Sequence, residues 1–270
     1  MANPDKYIIG TSGYSFGDWV GPFYPPGTQK RDMLDTYTRA FHSVEINYTF
    51  YRMPAARTLQ AMCDKTPPGF SFWIKANQTT THEGDANTIE PFMESLLPMI
   101  TADKLAGVLL QFPQRFHRTV ANRKFLAAAL ERYAQHGPVP LAVEFRHFSW
   151  QHPATLDGLR ARDTTLVIPD VPPIRNLYRH KPTATSNTAY LRLHSRNADS
   201  WYGGPIDRYD YSYSPQELRD ILAEWEQVEQ EVDRVYAYFN NCHRAQAAQN
   251  AEEFGRILAG DAAPSGPNRR

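Results

Sequence analysis

Two glutamates, each inside a short run typical of a β-strand, have the clearest capacity for chemistry in this sequence. Glu45 lies in SVEIN and Glu144 lies in LAVEFR, and in both runs apolar residues occupy the alternate positions. A carboxylate is expensive to bury among hydrocarbon, so each glutamate should face a polar space. A pair of carboxylates suits hydrolysis of a glycosidic bond or proton transfer beside a carbonyl.

Further polar side chains follow the same alternation in other strand-like runs. Alternate residues of a strand face opposite sides, and we take the apolar parity of each run as the side covered by helices. Six runs then direct polar or ionisable groups to the other side: Glu45, Asn47, Lys75, Gln111, Glu144, Arg146, Arg192, His194 and Asn240. We group Asp170, at the end of TLVIPD, with these inward charges.

The inward set balances three acids with three bases, which are Glu45, Glu144 and Asp170 against Lys75, Arg146 and Arg192. Such a set could be a structural ion-pair network or a catalytic group, because both kinds of site perturb pKa values. A buried polar network is costly compared with apolar packing, which favours a functional role for the whole set. His194 alone would more often be a buried core histidine.

Eight short runs rich in β-branched and aromatic residues predict the strands that position these side chains. They are YIIGTS, SVEIN, FSFWIK, GVLLQF, LAVEFR, TLVIPD, AYLRLH and RVYAYFN. Most are separated by stretches with apolar residues at helical spacing. A βα unit takes roughly 30 residues, so eight units account for this chain of 270 residues. The sequence predicts a single α/β chain of the (β/α)8 TIM-barrel class, with a doubly wound open sheet as the alternative.

Two connections depart from the repeat. The sixth, DVPPIRNLYRHKPTATSNTA, holds too many prolines and polar residues for a proper helix, so we expect this helix to be weak or missing. A long Tyr-rich loop follows the seventh strand and contains Gly203 and Gly204. We expect the barrel to occupy residues 1–258 and residues 259–270 to form a disordered tail.

Barrel active sites lie at the C-terminal ends of the strands, so the inward polar groups should share one mouth. We predict Glu45, Glu144 and His194 as catalytic residues. Arg146 lies two residues from Glu144 on the same face and should keep it ionised. Glu45 has no basic neighbour at that spacing, so burial should raise its pKa and favour proton donation.

Loop aromatics and strand-end amides complete the predicted site. Tyr14, Trp201 and Tyr202 lie in the loops after the first and seventh strands, and Asn240 and Asn241 end the eighth. The aromatics could stack on a sugar or a base, or they could simply pack against the barrel. We include all five among the predicted substrate-binding residues.

Eight motifs in order along the chain resemble those of one protein family. They are GTSGYSFGDW, VEINYTFYRMP, FSFWIKANQTTTH, LLQFP, VEFRHFSW, YLRLHSRN, WYGGPIDRYDYSYS and YAYFNNCHRAQAAQNA. From about Ile8 to Ala251 the chain resembles the YecE-like family, catalogued as domain of unknown function seventy-two. The resemblance implies a TIM-barrel fold and the grouping of these motifs around one pocket. It does not imply a particular activity.

Metal binding is disfavoured by the sequence. Glu144, Asp170 and His194 would lie near the ends of successive strands, where some barrels place metal ligands. No HxH, HExxH or CxxC spacing accompanies them, and the nearby bases Lys75 and Arg146 would compete with a cation. We predict no metal and no other cofactor.

Composition limits the partners. The 29 basic and 29 acidic residues cancel, which argues against a broad duplex-binding surface. Only Cys63 and Cys242 occur, so no disulfide framework is implied. We find no signal peptide or membrane span in the sequence, and we expect a cytoplasmic protein with a small-molecule ligand and no membrane partner. The oligomeric state is not indicated.

Three functions stay open at this stage. The first is a hydrolase- or isomerase-type barrel enzyme without a metal, in which the basic residues and His194 hold a small anionic or polyhydroxylated substrate. The second is a metal-dependent barrel of the endonuclease IV type that binds nucleic acid or cleaves a phosphodiester, which zero net charge disfavours. The third is a non-catalytic small-molecule-binding protein that uses the same pocket.

Overall fold

The computed structural model describes residues 2–260, without the side chains of residues 205 and 206. Its eight strands are β1 (Tyr7–Thr11), β2 (Ser43–Ile46), β3 (Ser71–Lys75), β4 (Leu105–Gln111), β5 (Leu141–Glu144), β6 (Thr164–Asp170), β7 (Thr188–Leu193) and β8 (Arg234–Phe239). Every ladder is parallel, and the sheet order is β1-β8-β7-β6-β5-β4-β3-β2. This sequential order confirms the predicted (β/α)8 barrel, and the open-sheet alternative is wrong.

The seam between β1 and β2 closes the barrel without a full ladder. A single parallel bridge joins Ser12 to Glu45. The phenol of Tyr37 accepts a hydrogen bond from the Thr11 amide at 2.9 Å and donates one to the Ser43 carbonyl at 3.1 Å. A buried side chain thereby satisfies backbone groups that a ladder would otherwise pair.

Eleven α-helices occur in the described residues. They are α1 (Met33–Tyr37), α2 (Tyr48–Tyr51), α3 (Ala56–Asp64), α4 (Gln78–Thr81), α5 (Ile89–Ser95), α6 (Leu97–Thr101), α7 (Val120–Ala134), α8 (Pro153–Arg160), α9 (Pro205–Tyr209), α10 (Pro215–Glu231) and α11 (Gln246–Leu258). Six short 3-10 helices accompany them, at Pro4–Lys6, Gly17–Trp19, Lys30–Asp32, Ala86–Thr88, Phe148–Trp150 and His243–Ala245.

Local sequence explains where the irregular connections fall. In the described chain no helix forms between Asp170 and Thr188, which confirms the missing sixth helix. The Tyr-rich loop after β7 carries only the short α9 before α10 begins. At that point the Ser214 hydroxyl accepts from the Glu217 amide at 3.3 Å, and the Glu217 carboxylate accepts from the Ser214 amide at 2.8 Å. This reciprocal capping fixes the start of α10.

The barrel interior is filled by large side chains below a polar mouth. Its packed cluster consists of Trp73, Leu109, Ala142, Val167, Tyr190, Tyr236 and Tyr238. The opposite parity, such as Val44, Ile74 and Val143, packs against the surrounding helices in the main core. The interior is therefore a plugged core, and its buried acidic and basic side chains lie toward the C-terminal ends of the strands.

Two expectations concern the ends and surface of the chain. Within residues 2–260, no helix combines the length and apolar character needed to cross a bilayer. The last helix ends at Leu258, and the domain boundary at residue 258 stays a prediction. Residues 261–270 of the predicted tail lie outside the described residues, and the expectation of disorder stays a prediction.

Candidate active site

Arg192 joins both predicted catalytic glutamates in the interior of the barrel. Its Nη2 atom donates to Glu45 Oε1 at 2.7 Å, and its Nη1 atom donates to Glu144 Oε2. The Tyr190 hydroxyl donates to the second oxygen of Glu45 at 2.6 Å. Glu45 and Glu144 are fully buried and Arg192 nearly so, which makes this a desolvated carboxylate–guanidinium–carboxylate group.

A second arginine connects this group to the mouth. Arg146 forms a close ion pair through Nε with Glu144, and its Nη2 atom lies 3.4 Å from His194 Nε2. The other ring nitrogen of His194 lies 2.8 Å from the Asn240 side-chain amide. His194 is fully buried, so these contacts fix the orientation of its imidazole ring.

Lys75 ends β3 beside these arginines but has a different environment. Its amine donates to Gln111 Oε1 at 2.8 Å and lies 4.1 Å from the centre of the Phe50 ring. The side chain is half-buried. Among the described residues, no carboxylate lies within ion-pair distance of this amine.

The direction of the Glu45 pKa shift corrects the sequence prediction. Burial alone would raise the pKa of Glu45, but Arg192, the hydrogen bond from Tyr190 and nearby Lys75 together lower it. Glu45 is therefore held ionised, and a role as proton donor is not supported. The residues two positions from Glu45 along the chain could not indicate that its pKa is lowered, because the cation responsible, Arg192, lies on β7.

The cations of the mouth lower the pKa values of the bases around them. Burial, with Arg192 as the next cause, lowers the pKa of Lys75 to about 7, against smaller opposing effects of Glu144 and Glu45. Burial and four cations, Arg146, Arg192, Lys75 and Arg208, lower the pKa of His194 well below its usual value. Both shifts follow from positive charge gathered in a space with little water.

A polar cavity of about 220 Å3 opens at the C-terminal ends of β4 and β5. It is lined by His82, Gln111, Pro113, Gln114, Arg146, Leu177, Trp201, Tyr202, Arg208 and Tyr209. Burial, followed by Lys75, Arg115 and Arg146, lowers the pKa of His82 to about 4, so this imidazole is neutral at pH 7. Lys75 lies behind the wall of this cavity, one hydrogen bond from Gln111.

The two predicted loop aromatics after β7 contribute to the cavity in different ways. Trp201 is buried, and its ring lies 6.3 Å from that of His194 at nearly a right angle. Arg208 lies over Trp201, 5.2 Å from the ring, and donates to its carbonyl at 2.8 Å. Tyr202 is exposed at the rim. The loop therefore places a stacked tryptophan and arginine at the cavity.

Asp170 lies outside the mouth, which corrects our grouping of it with the inward charges. Val167 belongs to the interior cluster, so Ile168 and Asp170 face the other way. The Asp170 carboxylate accepts three hydrogen bonds from Arg196, the shortest 2.7 Å. In TLVIPD both parities are apolar, so the alternation could not indicate which one faces inward.

Three other predicted residues also lie away from the cavity walls. Asn47 is half-buried after β2, and its Oδ1 atom is enclosed without a hydrogen-bond partner among the described residues. Asn241 donates to the Tyr211 carbonyl and to Asn250, each at 2.8 Å, and so secures the Tyr-rich loop. Tyr14 packs 6.1 Å from the Tyr37 ring, and burial raises its pKa to about 12.

Three contributors to the site were not predicted from the sequence. Tyr190 shares the parity of Arg192, so the alternation in AYLRLH could have indicated it. His82 follows α4 and Arg208 lies in the five-residue α9, segments too short for a periodic pattern to report the direction of a side chain. Within residues 2–260, no group of three or more His, Cys, Asp or Glu side chains could hold a metal ion.

Comparison with known proteins agrees with this fold. The family model "Protein of unknown function DUF72" matches residues 8–269. The UPF0759 protein YunF of Bacillus subtilis (strain 168) is 31% identical over 274 residues, which cover 93% of this chain and 94% of that protein. Both matches extend over nearly the whole barrel.

Two solved structures are similar to the chain along its length. A DUF72 family protein from Thermotoga maritima MSB8 has a TM-score of 0.84 at 35% identity, covering 94% of this chain and 99% of that one. A DUF72 family protein from Enterococcus faecalis V583 has a TM-score of 0.81 at 26% identity, covering 96% and 97%. With the family model and the Bacillus relative, these matches show that the chain belongs to the DUF72 family of TIM-barrel proteins.

Proposed function

We propose that this protein is an enzyme that binds a small anionic substrate in its C-terminal mouth and performs acid–base chemistry on it. The observation that carries the proposal is the placement of Arg146 and Arg208 on the walls of one cavity. Both carboxylates of the mouth are already bonded to Arg192. The cavity therefore offers positive charge to a ligand with little negative charge to oppose it.

Four cationic side chains surround the mouth against two carboxylates. Arg192 and Arg146 neutralise Glu45 and Glu144, which leaves Lys75 and Arg208 as surplus positive charge. Arg208 has no carboxylate partner among the described side chains. An anion bound between Arg146 and Arg208 would gain charge-assisted hydrogen bonds where water is partly excluded.

Within this proposal Lys75 transfers the proton and the two glutamates supply a fixed field. An amine with a pKa of about 7 is present in both protonation states at neutral pH, as an acid–base catalyst requires. Glu45 stays ionised. Both Glu45 and Glu144 raise the pKa of Lys75 and so favour its protonated form. His194 is held neutral, and its contacts with Arg146 and Asn240 make it a positioning residue for Arg146.

Calorimetric titration tests the binding part of the proposal. Inorganic phosphate and lactate serve as anionic probes, and glycerol serves as a neutral one. We expect the anions to bind. Arg208→Met should weaken their affinity at least about tenfold, because one charge-assisted contact is lost. Arg234→Met is the matched control, because Arg234 begins β8 at the opposite end of the barrel. Equal binding by both variants would contradict the proposal.

Proton exchange tests the catalytic part. Short 2-oxo acids and phosphorylated sugars are incubated with the protein in deuterated water, and exchange beside the carbonyl is followed by NMR. We expect exchange with the wild type and a loss of about 100-fold or more in Lys75→Met. Binding of anions without any exchange would instead support a non-catalytic ligand-binding protein.

A further inference from the structure

We infer that Lys75 is a covalent catalyst whose amine forms an imine with the aldehyde or ketone group of an anionic substrate. The inference rests on the proposed function, because it requires the anionic group to lie between Arg146 and Arg208. It adds a substrate class, the short-chain carbonyl compounds with a carboxylate or a phosphate. It also gives Lys75 a role as nucleophile in addition to proton transfer.

The surroundings of the Lys75 amine favour nucleophilic attack. One side of the amine faces the Phe50 ring, and its only hydrogen bond in the described structure is to the neutral Gln111 amide. Both carboxylates of the mouth are bonded to Arg192, so neither forms an ion pair with the lysine. A lysine desolvated beside other cations is the arrangement that supplies an uncharged amine near neutral pH. The pKa of about 7 agrees with that geometry.

Two other partly buried lysines show what a structural lysine looks like in this fold. The Lys6 amine donates to the carbonyls of Glu229 and Val232, each at 2.8 Å. The Lys104 amine donates to the Cys63 carbonyl at 2.7 Å and to both oxygens of Thr66. Backbone carbonyls accept hydrogen bonds from both of these amines, whereas the Lys75 amine has no backbone acceptor in the described residues.

The cavity limits the size and charge of the carbonyl compound. Its volume of about 220 Å3 lies below the roughly 300 Å3 at which pockets for drug-sized ligands begin. A short 2-oxo acid or a phosphorylated aldehyde fits this volume. With its anionic group on Arg146 and Arg208, such a compound would lie beside Gln111. The Gln111 side-chain oxygen accepts the hydrogen bond from the Lys75 amine, so a shift of the Gln111 side chain would expose the amine to the carbonyl carbon.

The covalent step balances without an external oxidant or reductant. The lone pair of the uncharged amine forms a bond to the carbonyl carbon, and the carbonyl π electrons move to oxygen, which takes a proton. The nitrogen, which becomes positively charged when the bond forms, releases one of its two protons, and the neutral carbinolamine results. A second proton on the oxygen lets it leave as water while the nitrogen lone pair forms the C=N bond. The product is a protonated imine that withdraws electrons from the adjacent carbon, and water reverses the step.

Borohydride trapping tests the inference on the wild-type protein. Pyruvate and glyceraldehyde 3-phosphate are the probes, and reduction converts any imine into a stable secondary amine that peptide mass spectrometry locates. We expect modification at Lys75 at least about tenfold above that at Lys6 or Lys104, which are internal controls. Lactate and glycerol 3-phosphate, which lack the reacting carbonyl, should protect Lys75 from their matched probes. Arg208→Met should reduce the adduct.

The outcomes separate this inference from the proposed function. If phosphate and lactate bind and neither probe marks Lys75, the covalent inference is overturned and the anion-binding proposal stands. Equal modification of Lys75, Lys6 and Lys104 would also overturn it. If the anions fail to bind at all, the proposed function falls instead. Because the adduct is mapped on the wild type, the test does not depend on the folding of Lys75→Met.

Discussion

Arg192 on β7 donates to Glu45 on β2 over 2.7 Å, across the interior of the barrel. The same guanidinium bonds Glu144 on β5, so one side chain links three strands that are far apart in sequence. This contact explains why Glu45 can be fully buried and still ionised. The carboxylates therefore contribute both to the scaffold and to the field around Lys75.

We expect Glu45→Gln to destabilise the fold by about 3 kcal/mol. The amide keeps the shape of the side chain but leaves Arg192 as a buried cation with one carboxylate fewer. The free energy of unfolding, measured with a chemical denaturant at pH 7, checks this. A stable Glu45→Gln variant that has lost turnover would instead favour a direct catalytic role for Glu45.

A surface ion pair supplies the control for that experiment. Arg132 contacts both oxygens of Glu90, but each side chain is about one-third exposed, at 33% and 35%. Glu90→Gln should therefore cost much less stability than Glu45→Gln, because solvent screens an exposed ion pair. If Glu45→Gln and Glu90→Gln lose the same stability, then burial does not explain the cost of breaking the ion pair between Arg192 and Glu45.

Lys75 should make stability depend on pH above neutrality. Its folded-state pKa of about 7 lies below the ordinary value of 10.5, so in that interval the unfolded chain binds a proton that the folded chain lacks. Stability contributed by this group therefore rises as pH rises from 7 toward 10.5. The free energy of unfolding of Lys75→Met, compared with that of the wild type, should be highest at pH 6 and should fall progressively up to pH 10. A pH-independent difference in unfolding free energy would contradict the shift.

His194 should make the fold sensitive to acid. Its pKa lies well below the ordinary value of 6.5, so below that pH the unfolded chain takes up a proton that the folded chain excludes. Stability is lost as pH falls below 6.5, by up to about 1.4 kcal/mol per pH unit. Denaturation of His194→Gln between pH 7 and 5 should show a shallower acid loss than wild type. An unchanged acid slope would mean that the imidazole takes a proton within the fold.

Gly10→Ala should weaken the seam between β1 and β2. A Cβ atom at Gly10 would lie 2.3 Å from the Ser43 carbonyl oxygen, a backbone atom that cannot move aside alone. We expect a loss of about 1–3 kcal/mol, typical of overpacking. Gly158→Ala in α8 is the control, since a Cβ there meets nothing within 4 Å and should stabilise the helix by about 0.5–1 kcal/mol. Thermal and denaturant unfolding of both variants check the contrast.

Local patterns in the sequence were sufficient for the architecture and for the facing of most polar side chains. Alternation along a strand has a period of two, and it depends only on neighbouring residues. It therefore indicated that Lys75, Glu144 and Arg192 face inward without knowledge of strand pairing. The proline-rich sixth connection and the capping residues of α10 were equally local signals.

Charge partners and the cavity required the folded chain. The field at Glu45 comes from Arg192, 147 positions away, because electrostatic energy depends on distance in space rather than along the chain. The outward facing of Asp170 could not be predicted, because a run that is apolar on both sides does not report which side faces inward. Arg208 enters the cavity from α9, which is too short for a periodic pattern to indicate the direction of a side chain. Closure of the barrel alone brings these groups together, and with them the amine of Lys75 that the proposed chemistry requires.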